Sequence, residues 1–521
     1  RWSPHQETKN GSTDSHPEHG SATAAVGVSW NSAGVSDRPD LDAQGSNQPG
    51  NNNPGSDQPV GNQPSSDPLG PRPSHGGQHR EVLRLAIPAF LALVAEPLFL
   101  LTDAAIVGRL GVEPLAGLGV ASAILLTAAN IFVFLAYGTT AVVARQLGAG
   151  DRPGAIAGGI DGTWLAIALG TVTAAAVATA AEPLCRVFGA SEGALEQAVM
   201  YLRISALGIP AMLVVLATTG VLRGLQDTKT PLIAAVGGFG LNIVLNLWFV
   251  HGLGWGIAGS AWGTVIAQTV MAIGLVTVLI RYARRDCVPL RAHPGRVLIA
   301  ARGGIPLLVR TLALRGVLLV TTWVAASMGD VPLAAYQVTA TIWTFFAFAL
   351  DALAIAAQAI TGKSLGAGDR EKAREATALM LRWGVLGGVV LGALLLLTRP
   401  FLAPLFTPDA EVQAAIAAGL LVVAIGQPLS GLVFVIDGVL IGAGDGVWLA
   451  KAMLVTLLAY LPIVAAAHAV GGRVVDGSSA GNMAAVTWLW VAFTAFMAVR
   501  AALMWLRVRT DHWMVLGATR P

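Results

Sequence analysis

The sequence predicts an all-α integral membrane protein with twelve transmembrane helices in two pseudo-symmetric six-helix lobes. Three observations lead there. Hydrophobic residues make up 54% of the chain and charged residues only 12%, with a mean hydropathy of +0.64, far from the profile of a water-soluble domain. From Glu81 onward, apolar segments of about 20 residues, enough to cross a ~30 Å hydrocarbon core, recur between short loops. The second half then repeats landmarks of the first at a constant offset of 218 residues.

The spans follow in order from the breakers between them. Span 1 (82–109) ends at Gly111, and span 2 (115–143) runs into the turn "LGAGDR". Span 3 (155–180) begins after "GDRPG", and span 4 (196–221) leads to "DTKTP". Span 5 (231–250) is closed by "HGLGWG". Span 6 (257–281) enters a basic segment, 281–297, read as a cytoplasmic linker between an N-lobe (81–280) and a C-lobe (298–507). Span 7 (298–327) stops at "MGDVP", and span 8 (333–361) reaches a second "LGAGDR". Spans 9 (373–397), 10 (412–440), 11 (447–468) and 12 (482–506) complete the second half. Residues 1–80, rich in Asn, Gly, Ser, Pro and Gln, lack the apolar content to order themselves and are expected to form a disordered cytoplasmic tail. Residues 508–521 form a second, C-terminal cytoplasmic tail.

Basic residues sort by side. The loops after the even-numbered spans carry Arg145, Arg152, Arg223, Lys229, Arg284, Arg285, Lys363, Arg370 and Lys451 among others, whereas the opposite loops hold only Arg109, Arg186, Arg399 and Arg473. This asymmetry places both termini in the cytoplasm. No basic stretch followed by an apolar one precedes the tail, so the tail is expected to stay where it is made. Cys185 and Cys287 lie in separate loops and predict neither a disulfide nor a metal site.

The 218-residue offset matches "LGAGDR" at 147–152 with 365–370, "GVLRGLQD" with "GVLIGAGD", and Pro88 with Pro306. A single offset across all of these marks a duplication. Each unit has an even number of spans, so the halves share one orientation. The repeat also separates scaffold from chemistry. Asp151 and Asp369, like Asp227 and Asp445, recur in both halves and read as turn or capping residues. Asp103 aligns with Thr321, so the duplicated frame does not require its carboxylate.

A carboxylate within a span is costly and usually faces an internal cavity. Asp103, without a nearby cation in the sequence, can take up and release a proton as its hydration changes. Asn242 and Asn246, four residues apart in span 5, share a helical face and can hydrogen-bond either form of that carboxylate. Glu96 lies on roughly the same face as Asp103 and precedes Pro97; it is a possible second proton stop or the satisfier of a kink. Pro88 and Pro97 are expected to let span 1 bend. In the C-lobe, Asp351 and Asp437 have no charged counterparts in the first half, nor do Arg310 and Arg315. Arg315 is expected to pair with Asp351 or Asp437, in a structural or secondary coupling role.

Other chemistries find no support. There is no HExxH or CxxC, and the nine histidines lie in the N-terminal tail or near span ends, so no metal site and no nucleophile with its base is expected. No cofactor is expected beyond a coupling ion.

"DAAIVGRLG", "RGLQDTKTP", "LNIVLNLWFVHGLGWGIAGSAWGT", "LDALAIAAQAITGKSLGAGD" and "FVIDGVLIGAGD" resemble the MATE family (multidrug and toxic compound extrusion), in its DinF-like branch. The resemblance covers residues 81–507. It implies an antiporter that exports cationic, amphipathic compounds as protons or sodium ions enter. It also implies that Asp103 is the ion-coupling residue and Asn242 its span 5 partner. Many members of the family carry an aspartate where this chain has Asn246, and losing that charge favours protons over sodium. The expected partners are small organic substrates and the lipid bilayer, without nucleic acid, and the expected state is a monomer in a bacterial cytoplasmic membrane. The competing readings are a sodium-coupled exporter, a flippase for an amphipathic metabolite or lipid, a membrane-embedded enzyme with Asp103 as acid or base, and a scaffold.

Overall fold

A backbone that crosses hydrocarbon must satisfy its own N–H and C=O groups, and every regular element described is a helix. The computed structural model describes residues 75–188, 191–474 and 478–518. In the first half, α1 (His75–Gly108) is span 1, and α2 (Val112–Phe132) with α3 (Phe134–Gly148) makes span 2. Helix α4 (Arg152–Thr179) and the short α5 (Ala181–Arg186) precede α6 (Glu192–Ala206) and α7 (Ile209–Gly224). Helix α8 (Lys229–Leu247) continues as a π-helical turn, Trp248–Gly252, before α9 (Gly256–Arg285). The second half comprises α10 (Pro294–Ser327), α11 (Asp330–Gly366), α12 (Arg370–Phe406), α13 (Ala410–Gly442), α14 (Gly446–Val474) and α15 (Ser479–Arg509).

Ten of these segments are long and apolar enough to cross a membrane, and the pair α6–α7, bent by 51°, makes eleven. Helix α1 supplies the twelfth crossing, since its 34 residues extend about 50 Å. Val172, Ile233, Leu319, Trp323, Leu397 and Phe401 are each at least 70% exposed. Apolar surface on this scale belongs against lipid.

Two boundaries differ from the sequence reading. His75–Arg80, assigned to the disordered tail, are the first turns of α1; the rest of that expectation falls on residues 1–74, outside the described residues. The C-terminal tail is also more than a tail. After α15 the chain folds back, burying Trp513 and Met514, while the Trp513 indole donates to the Val508 carbonyl at 3.0 Å. Between the halves, residues 286–293 are pinned to α4. Asp286 pairs with Arg152 at 3.1 Å, the Trp164 indole donates to the Leu290 carbonyl at 3.0 Å, and Arg296 reaches the buried Asp161 at 2.6 Å. Asp161 was passed over in the sequence because it sits in a Gly-rich, weakly patterned stretch.

The duplication is visible residue by residue. Asp151 caps α4 through the Gly154 amide at 2.8 Å, and Asp369 caps α12 through the Lys372 amide at 2.8 Å. The third landmark is less symmetric: Gln226 holds the left-handed conformation (φ 67°) that its repeat partner Gly444 holds at 71°. Asp445 departs from a pure turn role, pairing with Arg507 at 2.7 Å.

At the Arg/Lys-rich end the two halves press together. Gly148 lies against the backbone of Lys363, and its repeat partner Gly366 against the backbone of Arg145, so a Cβ at either position would overlap main chain. Only glycine permits that approach. Arg145, itself buried, then ties three segments: its guanidinium donates to the carbonyls of Ala443 (3.0 Å), Val515 (2.7 Å) and Gly517 (2.8 Å). The Gly517 amide donates to the Leu365 carbonyl at 3.0 Å, and Arg374 pairs with Asp511. The segment 511–517 is thus a strap across the meeting point of α3, α11 and α13. Trp513→Ala should remove about 3 kcal/mol of packing from it and open this end. The check is labelling of a cysteine placed at Thr361 by a water-soluble maleimide, expected to accelerate in the variant.

Candidate functional site

The sequence expectation of an internal site around Asp103 can be built from four helices. Helix α1 carries Asp103, buried about 8 Å of helix from its Gly108 end. Helix α8 contributes Asn242 and Asn246 on one face, both buried. Helix α6 brings Tyr201, and α9 brings Ser260 and Thr264, all buried. The glycines of α9 allow this approach: a Cβ on Gly263 would collide with the Asn246 amide oxygen.

Asp103 accepts three hydrogen bonds. Its Oδ1 takes the Ser260 hydroxyl at 2.6 Å and the Asn246 amide at 2.7 Å, and its Oδ2 takes the Tyr201 hydroxyl at 3.3 Å. Asn242 stands one step back. Its Oδ1 accepts from Asn246 at 2.9 Å, and its Nδ2 donates to Thr264 at 3.0 Å. The sequence reading had both amides available to the carboxylate, but only Asn246 touches it. Asn242 fixes Asn246 instead.

All of these partners are neutral, and most can work in both directions. A hydroxyl donates to a carboxylate and accepts from the acid. The Asn246 Oδ1 is buried without a hydrogen-bond partner, so a half-turn of the amide would present an acceptor to a proton on Asp103. The cluster can therefore hold either protonation state at the cost of reorienting O–H and amide groups. A helix whose π turn begins at Trp248 lies just beyond Asn246, a kind of irregularity common beside functional sites.

The second half lacks this chemistry at the corresponding place. Thr321 occupies the position of Asp103, and Tyr460 that of Asn242; their hydroxyls bond each other at 2.7 Å. Tyr201, Ser260 and Thr264 escaped the sequence reading. Tyr and Ser in apolar helices look like ordinary packing residues until a carboxylate is found beside them.

The C-lobe charges form a separate group. Asp437, buried in α13, pairs with Arg310 of α10 through both oxygens and with Arg500 of α15 at 3.1 Å. This corrects the pairing expected for Arg315, which is exposed and makes no ion pair among the described residues. Arg310 and Arg315 differ by five residues, about 140° around a helix, so only one can face α13. Asp351 of α11 accepts from the Tyr137 hydroxyl of α3 at 3.4 Å, and Arg310 lies 5.9 Å from the Tyr137 ring centre. The side chain of Glu96 lies outside the described residues. Helix α1 is continuous through Pro88 and Pro97 in this state. Among the described residues no three His, Cys, Asp or Glu side chains group as metal ligands.

A buried charge stripped of its partner is strongly destabilising. Asp437→Ala, which leaves Arg310 and Arg500 facing each other, is expected to lose about 3–5 kcal/mol. Arg315→Gln should stay within about 0.5 kcal/mol of the wild type. Thermal unfolding of the detergent-solubilised variants separates the two.

Comparison with known proteins places this arrangement. The family model described as MatE matches residues 88–248 and again 306–465, two segments that begin 218 residues apart, the offset of the internal repeat. Protein DETOXIFICATION 44, chloroplastic, of Arabidopsis thaliana is 32% identical over 463 residues, covering 86% of this chain and 85% of the relative. DNA damage-inducible protein F of Escherichia coli (strain K12) is 29% identical, covering 82% and 91%. A solved structure described as MATE in the bent conformation superposes with a TM-score of 0.74 at 23% identity, covering 84% of this chain and 96% of that one.

Proposed function

Because the chain belongs to the MATE family, we propose that it is a secondary antiporter of a bacterial cytoplasmic membrane, exporting amphipathic organic compounds, cationic ones among them, in exchange for protons. The observation that carries this reading is the isolation of Asp103: a buried carboxylate held by Ser260, Asn246 and Tyr201, with no cation among its described partners and no counterpart in the other half. Such a group carries one proton per visit without any further machinery.

The geometry supports the following cycle. With the Arg/Lys-rich end cytoplasmic, the contacts of Gly148, Gly366 and Arg145 close the cytoplasmic side, and the site answers to the outside. Protonation neutralises Asp103 and weakens its hold on α8 and α9, because a neutral acid attracts donors less than a carboxylate does. Helix α1 can then repack at Pro97 or Pro88. A ligand shifts two states only by binding them unequally, and the loss of one charge in a dry site provides that difference. An organic cation entering the N-lobe competes with the proton for the same carboxylate.

Sodium coupling fits less well. A desolvated sodium ion favours clustered anionic oxygens, and Asn246 offers an amide where a second carboxylate would stand. In proteoliposomes with an acidic exterior, the wild type is expected to export a cationic dye, and Asp103→Asn to lose at least about 90% of the gradient-driven rate. Unchanged export with unchanged pH dependence in that variant would refute the coupling role. A sodium gradient alone should drive no export, and Asn246→Asp is the replacement expected to introduce sodium dependence.

A further inference from the structure

Helix α6 has two faces of opposite use. Tyr201 turns inward to Asp103, whereas Arg203, two residues on and so on the other side of the helix, is exposed. Glu192 and Glu196 are exposed as well, and positions 192, 196 and 203 fall within about 40° of one another around the axis. Their repeat partners are Ala410, Ala414 and Leu421. The duplicated frame does not require these charges.

The stripe lines an open groove of about 710 Å³ between α5 and α6, the volume of an ordinary small-molecule site. The groove lies toward the end of the bundle remote from the Arg/Lys-rich end, and Arg203 faces away from the Asp103 cluster. Arg186 is answered inside the groove by Glu182 at 2.7 Å. Arg203, Glu192 and Glu196 make no ion pair among the described residues. The Glu113 carboxylate of α2 adds a further anion, close enough to Gly193 that a Cβ there would meet it.

The unpaired charges are ordered by depth. Arg203 follows Glu192 by 11 residues, about 16 Å of helix, and the α6–α7 pair, Glu192–Gly224, runs about 50 Å against a ~30 Å hydrocarbon core. Centred on that core, the Arg203 backbone sits just inside it, and its side chain, tilted toward the helix N-terminus, reaches back to the boundary. Glu196 and Glu192 stand successively farther out. Leu195, Val199, Met200 and Ile204 supply an apolar lining, and exposed Leu207 extends it toward the membrane centre.

A zwitterionic phospholipid presents matching groups in the same order: acyl chains toward the centre, phosphate at the boundary, ammonium outermost. We propose that this groove binds an aminophospholipid, with its phosphate on Arg203 and its primary ammonium on Glu196 and Glu192. The guanidinium fork matches phosphate oxygens, and an ammonium that carries N–H groups can donate to both carboxylates. A choline headgroup has no such donor, and a glycerol headgroup has no cation. The site goes beyond the proton-coupling reading and does not rest on it.

Native mass spectrometry of the full chain in detergent, titrated with phosphatidylethanolamine, phosphatidylcholine and phosphatidylglycerol of identical acyl chains, tests the assignment. The wild type should bind the ethanolamine lipid at least about tenfold more tightly than the other two, the worth of one charge-assisted hydrogen bond. Arg203→Gln should weaken all three lipids. Glu192→Gln combined with Glu196→Gln should erase the preference for ethanolamine while the glycerol lipid binds no more weakly. All three side chains are exposed, so these replacements leave the core intact. A wild type without the preference, a preference that the glutamate variant keeps, or binding that Arg203→Gln leaves unchanged overturns the site. Glycerophosphoethanolamine, the headgroup without its chains, should fail to displace the lipid at equal concentration; displacement would assign the groove to a soluble headgroup and overturn the lipid reading.

Discussion

Inside hydrocarbon a polar group has only the protein to bond with, and that constraint reaches every level of this molecule. It forces the backbone into helices, which bond within themselves. It then forces each buried charge into company: Asp161 with Arg296, Asp437 with Arg310 and Arg500, Asp445 with Arg507. Asp103 differs from these, because its described partners, Ser260, Asn246 and Tyr201, are all neutral. An ion pair holds its charge state; a carboxylate among hydroxyls and amides can change it. The proposed division between scaffold and mechanism is thus a difference in partners.

Duplication supplied the frame and asymmetry supplied the chemistry. Both halves keep the Gly-rich turns, with left-handed glycines at Gly150 and Gly368 and capping aspartates after them. The equivalent of Asp103 and Asn242 in the second half is the Thr321–Tyr460 pair, a neutral contact that cannot carry a proton out of the lobe. Conversely, the second half gathers arginines that the first does not. The two halves thus carry different buried charges, and they meet at the Tyr137–Asp351 hydrogen bond.

The Arg/Lys-rich end shows how such halves are held. Paired glycines bring main chains into contact, and Arg145 spends its donors on carbonyls from α13 and the strap. Those carbonyls belong to two separate segments, so the junction depends on both being in place. Such a close contact is specific to one relative position of the halves, which is what the proposed cycle would use.

Much was legible in the sequence because the membrane writes in a simple code. Spans of about 20 apolar residues, breakers between them, arginine asymmetry and a constant offset lead to twelve helices in two halves, and the isolation of Asp103 from the repeat singled out its carboxylate. Periodicity could also put Asn242 and Asn246 on one face. It could not rank them, since which amide reaches Asp103 depends on how α8 is rotated against α1. Nor could it choose between Arg310 and Arg315, five residues apart on one helix, or reveal Tyr201, Ser260 and Thr264, whose role exists only through contacts 22 to 157 residues away in the chain. The strap at 511–517 was read as a tail because a short polar segment has no periodic signature. The sequence alone determined the membrane fold, its internal repeat and a few carboxylates outside the duplicated frame, Asp103 among them; tertiary structure decided every partner, because partners are set by helix rotation and depth, which no local pattern encodes.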